Sequence, residues 1–161
     1  MIFGTRQPPR PQQAGQPGDY FVTLRRSPRR YTVLSEVQGP HPDQIRFTPM
    51  GQTVVNAWFD LGRRVDTVRP GPILIMPDHI HALLTLLPAK GILPPPPPAE
   101  DLLEQFRSDS THAVNRAART MGQPLWEGDT LFRLLADEQE KEQAYQYMVA
   151  DPSRWLEEQK A

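Results

Sequence analysis

The chain has 161 residues, of which 38% are hydrophobic and 23% are charged, and this balance predicts one folded domain with a sizeable core. It contains no cysteine, which excludes disulfides and thiolate metal sites, and no apolar run approaches the roughly 18 residues of a membrane span. The N-terminus lacks the apolar segment of a secretory signal, so we expect a cytoplasmic protein.

The net charge of −1 conceals two regions of opposite sign. Residues 1–30 contain six arginines and one acid, whereas residues 127–161 contain nine acids and four bases. A basic region suggests a polyanionic partner, and an acidic region opposes broad, nonspecific binding to nucleic acid. The composition therefore permits contact with DNA or RNA without requiring it.

The first third of the chain predicts a tail followed by strands. Residues 1–18, rich in Pro, Gly and Gln, are expected to form a disordered tail, and residues 19–161 the single domain. "DYFVTLRR" (19–26) and "YTVL" (31–34) predict strands, and "DQIRFTP" (43–49) allows a short third strand.

The middle of the chain predicts a helix and then a central strand. Thr48 can cap a helix, Pro49 suits its first turn, and an apolar face follows at Val54, Val55, Trp58, Phe59 and Gly62. "PILIMPDHIHALLTLL" (72–87) predicts one central strand with a kink or an entry point near Pro77, because proline cannot donate to a ladder.

The last part of the chain predicts a linker and two helices. Residues 88–100 contain five consecutive prolines, which favour a stiff spacer, with docking on a proline-binding module as the alternative. Asp101 opens a long helix that Gly122 closes, and a final helix at 137–150 ends before Pro152. This order predicts an α+β fold, an antiparallel sheet with helices packed mainly on one face.

The central segment places two histidines one residue apart. His79 and His81 share one face of a strand, whereas Ile80, Ala82 and Leu84 point into a core. Two imidazoles on a rigid strand can hold a divalent cation if a third ligand arrives from elsewhere. A pair of histidines on a polar sheet face is the alternative, and this segment alone leaves it open.

The C-terminal helix offers candidates to complete such a site. Tyr147 and Asp151 are four residues apart and so share a helical face. A carboxylate is a good ligand for a hard divalent ion, and a phenol can act as a covalent nucleophile. In the alternative interpretation, Tyr147 packs on the sheet and Asp151 ends the helix before a proline; spacing alone leaves this open.

Five segments of the chain resemble segments of one known family, and they occur in the order in which the family has them. They are "YFVTLRR", the stretch from "FTPMGQ" through "IMPDHIHALLTL", "FRSDSTHAVNR" (106–116), Trp126 and "YMVADPSRW" (147–155). Together they resemble the REP-associated tyrosine transposases, members of the single-tyrosine HUH (His-hydrophobe-His) endonuclease superfamily, over roughly residues 19–158. The resemblance implies a ferredoxin-like fold of the HUH-nuclease type.

The resemblance also implies roles for individual residues. His79 and His81 become metal ligands and Tyr147 the nucleophile, and Asp151 stands where the family places an Asn that helps to hold the metal. The implied activity is that of a transposase: Mg²⁺- or Mn²⁺-dependent cleavage and rejoining of single-stranded DNA at hairpin-associated sites, through a 5′-phosphotyrosine. The expected partner is single-stranded or hairpin DNA, with no membrane contact, and of monomer and homodimer we expect the monomer.

Basic and aromatic residues supply candidates for DNA contact. Arginines can grip phosphates, and a tryptophan can stack on an extruded base; the alternatives are a solvated basic loop and a core tryptophan. The candidates are Arg25, Arg26, Arg29, Arg30, Arg107 and Trp126.

The segment after Trp126 departs from the family, because "EGDTLFRLLAD" lacks the usual Gln, His and Arg. A catalytically weakened, domesticated DNA-binding module is therefore the alternative function. A small metallohydrolase that uses His79, His81 and Asp151 on another phosphoester is a third.

Overall fold

The computed structural model describes residues 14–160. Residues 1–13 of the predicted tail lie outside the described residues, so the division into a tail and one domain stays a prediction. Residues 14–17 run beside the proline-rich segment, where the Gly15 backbone N–H donates to the Pro96 carbonyl at 2.6 Å. Among the described residues, no helix combines the length and the apolar character needed to cross a membrane.

The fold is a four-stranded antiparallel sheet with helices and a separate two-stranded sheet. The large sheet has the order β4-β5-β1-β6, and β2 pairs with β3. The elements are β1 Gly18–Arg26, β2 Ser35–Val37, β3 Ile45–Phe47, α1 Pro49–Asp60, β4 Val68–Ile75, β5 His79–Leu86, α2 Ala99–Ala118, β6 Trp126–Leu134, α3 Glu138–Val149 and α4 Asp151–Gln159. This arrangement confirms the predicted α+β class.

The main core lies between one face of the large sheet and helices α1 and α2. Alternate residues of β1 and β5 point into it, as a period of two requires. Trp58 of α1 and Phe106 of α2 are fully buried and meet edge to face, with ring centroids 5.2 Å apart. Helix α3 packs a smaller apolar cluster, which includes Leu83 and Met148, on the opposite face.

The predicted start of α1 is confirmed. Thr48 caps the helix by accepting a hydrogen bond from the Gly51 backbone N–H at 3.2 Å, and Pro49 occupies the first turn. Val54 and Trp58 of the predicted face are buried, whereas Phe59 remains 47% exposed.

Two strand predictions are wrong. "YTVL" is a loop, and the second strand begins at Ser35. The single central strand is in fact a hairpin of β4 and β5, closed by a tight turn in which the Met76 N–H donates to the His79 carbonyl at 2.8 Å. Pro77 lies in this turn, outside the ladder of strand hydrogen bonds, so the N–H that proline lacks is not needed there.

The C-terminal part differs from the prediction at four points. The long helix begins at Ala99, inside the predicted linker, rather than at Asp101. Strand β6 was missed. The long helix ends at Ala118, where Arg119 caps it in the left-handed conformation (φ 56°), rather than at Gly122. A further helix, α4, follows the predicted end of α3 and carries Pro152 in its first turn, where the absent N–H costs nothing.

Candidate active site

The two histidines lie on the sheet face opposite the main core. His79 and His81 begin β5, where they pair across the ladder with Arg25 and Thr23 of β1. Asp151 opens α4 and reaches the same point, so the sheet and the last helix jointly build the site.

The side chains of these three residues converge. One oxygen of Asp151, Oδ2, lies 2.6 Å from His79 Nε2 and 3.2 Å from His81 Nε2. The other ring nitrogens have separate partners: His79 Nδ1 lies 2.7 Å from Asp78 Oδ1, and His81 Nδ1 lies 2.8 Å from Thr23 Oγ1. These contacts fix both rings with Nε2 directed at Asp151.

This donor set fits a divalent cation. One ligand atom from each of His79, His81 and Asp151 lies within 4.8 Å of the others, so a single ion can reach all three. Two imidazoles and one carboxylate form a set that binds divalent metals, and an outer partner on the second ring nitrogen is typical of metal-binding histidines.

The electrostatics keep Asp151 ionised. Burial alone would raise the pKa of its carboxyl group, but the hydrogen bonds to His79 and His81 outweigh burial and hold that pKa well below its usual range. Burial would lower the pKa of His79, whereas Asp151 and Asp78 together raise it above its ordinary value. Asp151 therefore carries a negative charge at neutral pH.

Tyr147 lies beside the imidazole pair. Its ring meets that of His81 edge to face, with centroids 5.7 Å apart, and meets Phe21 in the same way at 6.2 Å. The side chain is 53% exposed, which leaves the phenol accessible. The predicted nucleophile and the predicted ligands are thus brought together.

Arg154 contacts both the predicted nucleophile, Tyr147, and the predicted ligand Asp151, and the sequence analysis missed it. Its guanidinium carbon lies 4.0 Å from the centroid of the Tyr147 ring. Its Nη2 donates to the Tyr147 carbonyl at 2.8 Å and lies 3.3 Å from Asp151 Oδ1. Tyr147 lies in α3, whereas Asp151 and Arg154 lie in α4, so Tyr147 and Asp151 do not share one helix as predicted. The spacing of three residues between Asp151 and Arg154 is the signal that could have paired these two on one face of α4.

A cavity of about 440 Å³ opens over this cluster. A larger groove of about 710 Å³ lies between α1 and α2 and includes none of the candidate catalytic residues. The lining of the smaller cavity includes Arg25, Arg26, His79, His81, Tyr147 and Asp151.

The candidate DNA-binding residues divide by exposure. Arg25 and Arg29 are exposed, and Arg26 is half-buried with its Nη1 donating to the Thr32 carbonyl at 2.9 Å. Arg107 lies apart from the cavity lining, where it donates to the Gly128 carbonyl at 2.7 Å. Arg25 and Arg29 are therefore the best placed to meet a polyanion.

Arg30 and Trp126 point inward. Arg30 is 4% exposed and its guanidinium bonds the chain around residues 115–124. Trp126 is 5% exposed, and its indole N–H donates to Ser110 Oγ at 2.9 Å. Neither side chain is exposed for contact with DNA.

Comparison with known proteins identifies the fold. No family model and no curated protein matches the chain. Among solved structures it is similar to a REP-associated tyrosine transposase bound to a REP hairpin, with a TM-score of 0.59 and 14% identity over 88% of this chain and 70% of that one. It is also similar to a proposed transposase from Deinococcus radiodurans R1, with a TM-score of 0.48 and 16% identity over 91% of this chain and 95% of that one. The chain has the fold of the REP-associated tyrosine transposases, as its sequence segments predict.

Proposed function

We propose that the protein is a metal-dependent single-stranded DNA endonuclease and strand transferase of the REP-associated tyrosine transposase type. One observation carries the proposal: the Tyr147 ring lies against a His79–His81–Asp151 cluster inside one cavity. A solved protein of the same fold is bound to a REP hairpin, which supports hairpin-associated DNA as the partner.

His79, His81 and Asp151 would hold Mg²⁺ or Mn²⁺. When bound, the ion supplies Lewis acidity that polarises the scissile phosphate. Imidazole nitrogens suit Mn²⁺ better than Mg²⁺, which prefers oxygen ligands and retained waters. Two histidines in a set of three therefore favour Mn²⁺.

Tyr147 would act as the nucleophile. Its Oη would lose its proton to solvent and attack phosphorus to make a 5′-phosphotyrosine. The bond from phosphorus to the departing 3′ oxygen would break at the same time, and that oxygen would take up a proton from solvent to become a 3′-hydroxyl. A 3′-hydroxyl can later reverse the step and rejoin the strand, so no nucleotide cofactor is consumed. The Arg154 guanidinium carbon lies 4.0 Å from the centroid of the Tyr147 ring, so Arg154 would hold the phenol in position for this attack.

The proposal is tested by incubating the full chain with single-stranded hairpin DNA and Mn²⁺. A covalent adduct with the mass of the protein plus one 5′-phosphorylated fragment, less one water, should form with the wild-type protein and be absent with Tyr147→Phe. Tyr145→Phe is the matched control, because Tyr145 lies on the same helix, is 39% exposed and lines no part of the cavity. An undiminished adduct in Tyr147→Phe would contradict the assignment.

A DNA-binding module without cleavage is the second candidate. Glu127 lines the cavity, and its carboxylate opposes a DNA phosphate there. Strand β6, which carries Glu127 and Asp129, coincides with the segment that departs from the family. Metal-independent gel-shift binding, with no adduct in Mg²⁺ or Mn²⁺, would favour this candidate over the nuclease.

A further inference from the structure

Tyr31 is the most exposed aromatic side chain among residues 14–160, at 96% of its full accessible area. The next most exposed aromatic side chain, Tyr147, reaches 53%. An aromatic ring gains much stabilisation when it is buried, and Tyr31 gains almost none within the chain. It lies in residues 27–34, which we call the β1–β2 loop.

A buried arginine fixes this loop on one side of Tyr31. Arg30 donates from Nε to the Pro124 carbonyl at 2.9 Å, from Nη1 to Thr120 Oγ1 at 2.9 Å, and from Nη2 to the Gln123 carbonyl at 3.1 Å and to Asn115 Oδ1. A guanidinium is tolerated inside a protein when its donors find acceptors in this way. The residue directly before Tyr31 is therefore anchored.

The other side of Tyr31 is also tied down. Arg26 Nη1 donates to the Thr32 carbonyl at 2.9 Å, and the Leu34 N–H donates to the Pro77 carbonyl at 2.9 Å. Both neighbours of Tyr31 are held, so its ring extends into solvent from a fixed backbone. A partner that binds this ring pays little for ordering the loop.

The loop adjoins the candidate active site. Pro77, which holds the end of the loop, lies two residues before His79, and the Arg26 N–H donates to the Asp78 carbonyl at 2.9 Å. Pro28 of the loop lines the same cavity as His79 and Tyr147. The β1–β2 loop therefore borders the cavity on the side of Pro28.

We infer that Tyr31 is a stacking platform for an unpaired nucleobase of the DNA strand that occupies the cavity. The inference rests on the proposed function and names a part of its substrate, an unpaired base near the reacting phosphate. An exposed tyrosine ring stacks on the face of any base. Arg29 is exposed two residues away and supplies a contact for the backbone phosphate.

The test measures equilibrium binding of full-length protein to a fluorescent DNA hairpin with a single-stranded extension, in a Tyr147→Phe background that prevents cleavage. Tyr31→Ala should weaken binding about 5- to 150-fold, and Tyr31→Trp should retain it. Ile92→Ala is the matched control, because Ile92 is 100% exposed on another loop, outside the cavity lining, and its loss should change nothing.

An abasic nucleotide moved stepwise through the extension locates the stacked base. At one position it should weaken binding by the parent protein and cause no further loss in Tyr31→Ala. Equal affinity of Tyr31→Ala and its parent, or an abasic series without such a position, overturns the stacking role. The proposed function survives a negative stacking result if the Tyr147→Phe protein still binds the hairpin and the wild-type protein still forms its covalent adduct. If neither binding nor adduct is seen, both the stacking role and the proposed function are overturned.

Discussion

Replacement of Arg30 by methionine should destabilise the fold by about 2–4 kcal/mol, although the sequence alone makes this residue a candidate for DNA contact. Its side chain is 4% exposed and donates four hydrogen bonds, to Asn115, Thr120, Gln123 and Pro124. Methionine fills most of the same space and can make none of them.

The size of this destabilisation depends on whether the acceptors that lose the Arg30 donors can find other donors. Breaking a buried charged network by removing one partner costs about 3–5 kcal/mol. The carbonyls of Gln123 and Pro124 belong to exposed residues and can take up water, and Asn115 Oδ1 keeps the Thr120 hydroxyl at 2.8 Å. This partial compensation brings the expected loss down to about 2–4 kcal/mol.

Urea unfolding followed by circular dichroism measures the loss, with Arg29→Met as the matched control. Arg29 is exposed, so its replacement should change the free energy of unfolding by no more than about 0.5 kcal/mol. Arg29→Met should instead reduce the salt dependence of DNA binding by about one unit of slope. A loss below about 1 kcal/mol in Arg30→Met, together with a reduced salt slope, would refute the inward placement of Arg30.

Three further predictions concern the site. Mn²⁺ at 100 times its Kd should raise the free energy of unfolding by about 2.7 kcal/mol; thermal denaturation with and without EDTA should show this effect lost in Asp151→Ala and kept in His112→Ala, whose side chain lies in the α1–α2 groove. Arg154→Met should slow adduct formation by Tyr147 roughly 10- to 100-fold in single-turnover assays, and an unchanged rate would show that the stacked guanidinium positions nothing. In EDTA, the difference in free energy of unfolding between the wild-type protein and His79→Gln should be greatest between about pH 4 and 6.5. Because the pKa of His79 is raised in the folded state, this difference should be lost as the pH rises through that pKa. Because the pKa of Asp151 is lowered, the difference should persist until the pH is strongly acidic. Urea unfolding at pH 5 and pH 8 checks this, and an equal difference at both would contradict it.

The local features of the site were predictable because they depend on short periods. Alternation in β5 places His79 and His81 on one face whatever the rest of the fold does. The Thr48 cap follows equally from adjacent residues. The role of Asp151 could not be predicted from a short period. Its spacing from Tyr147 left the role open, and only the resemblance of the five ordered segments to the family assigned Asp151 as a metal ligand.

The missed features depend on contacts that local pattern does not encode. Strand β6 lies at the edge of the sheet and exposes Leu131 at 58% and Phe132 at 39%, so its apolar residues show no alternation between core and solvent. The run through Pro77 reads as one strand because β4 and β5 are both largely apolar at the turn. Arg30 follows Arg29 in an apparently polar turn, and only the distant residues 115–124 determine which of the two points inward.

The opposite charges at the two ends of the sequence meet in the cavity. Its basic lining comes partly from β1, and most of its acids come from the acidic C-terminal region, so a phosphate that enters faces both. Asp78 and Asp151 flank His79 closely, and two carboxylates so near the candidate site repel a phosphate unless a cation lies between them. Under the proposed function, metal binding and DNA entry would therefore be coupled by charge, and the acidic region would restrict the polyanion to a site that already holds its ion. The charged residues that line the cavity are Arg25, Arg26, Asp78, Glu127, Asp151, Arg154 and Glu158.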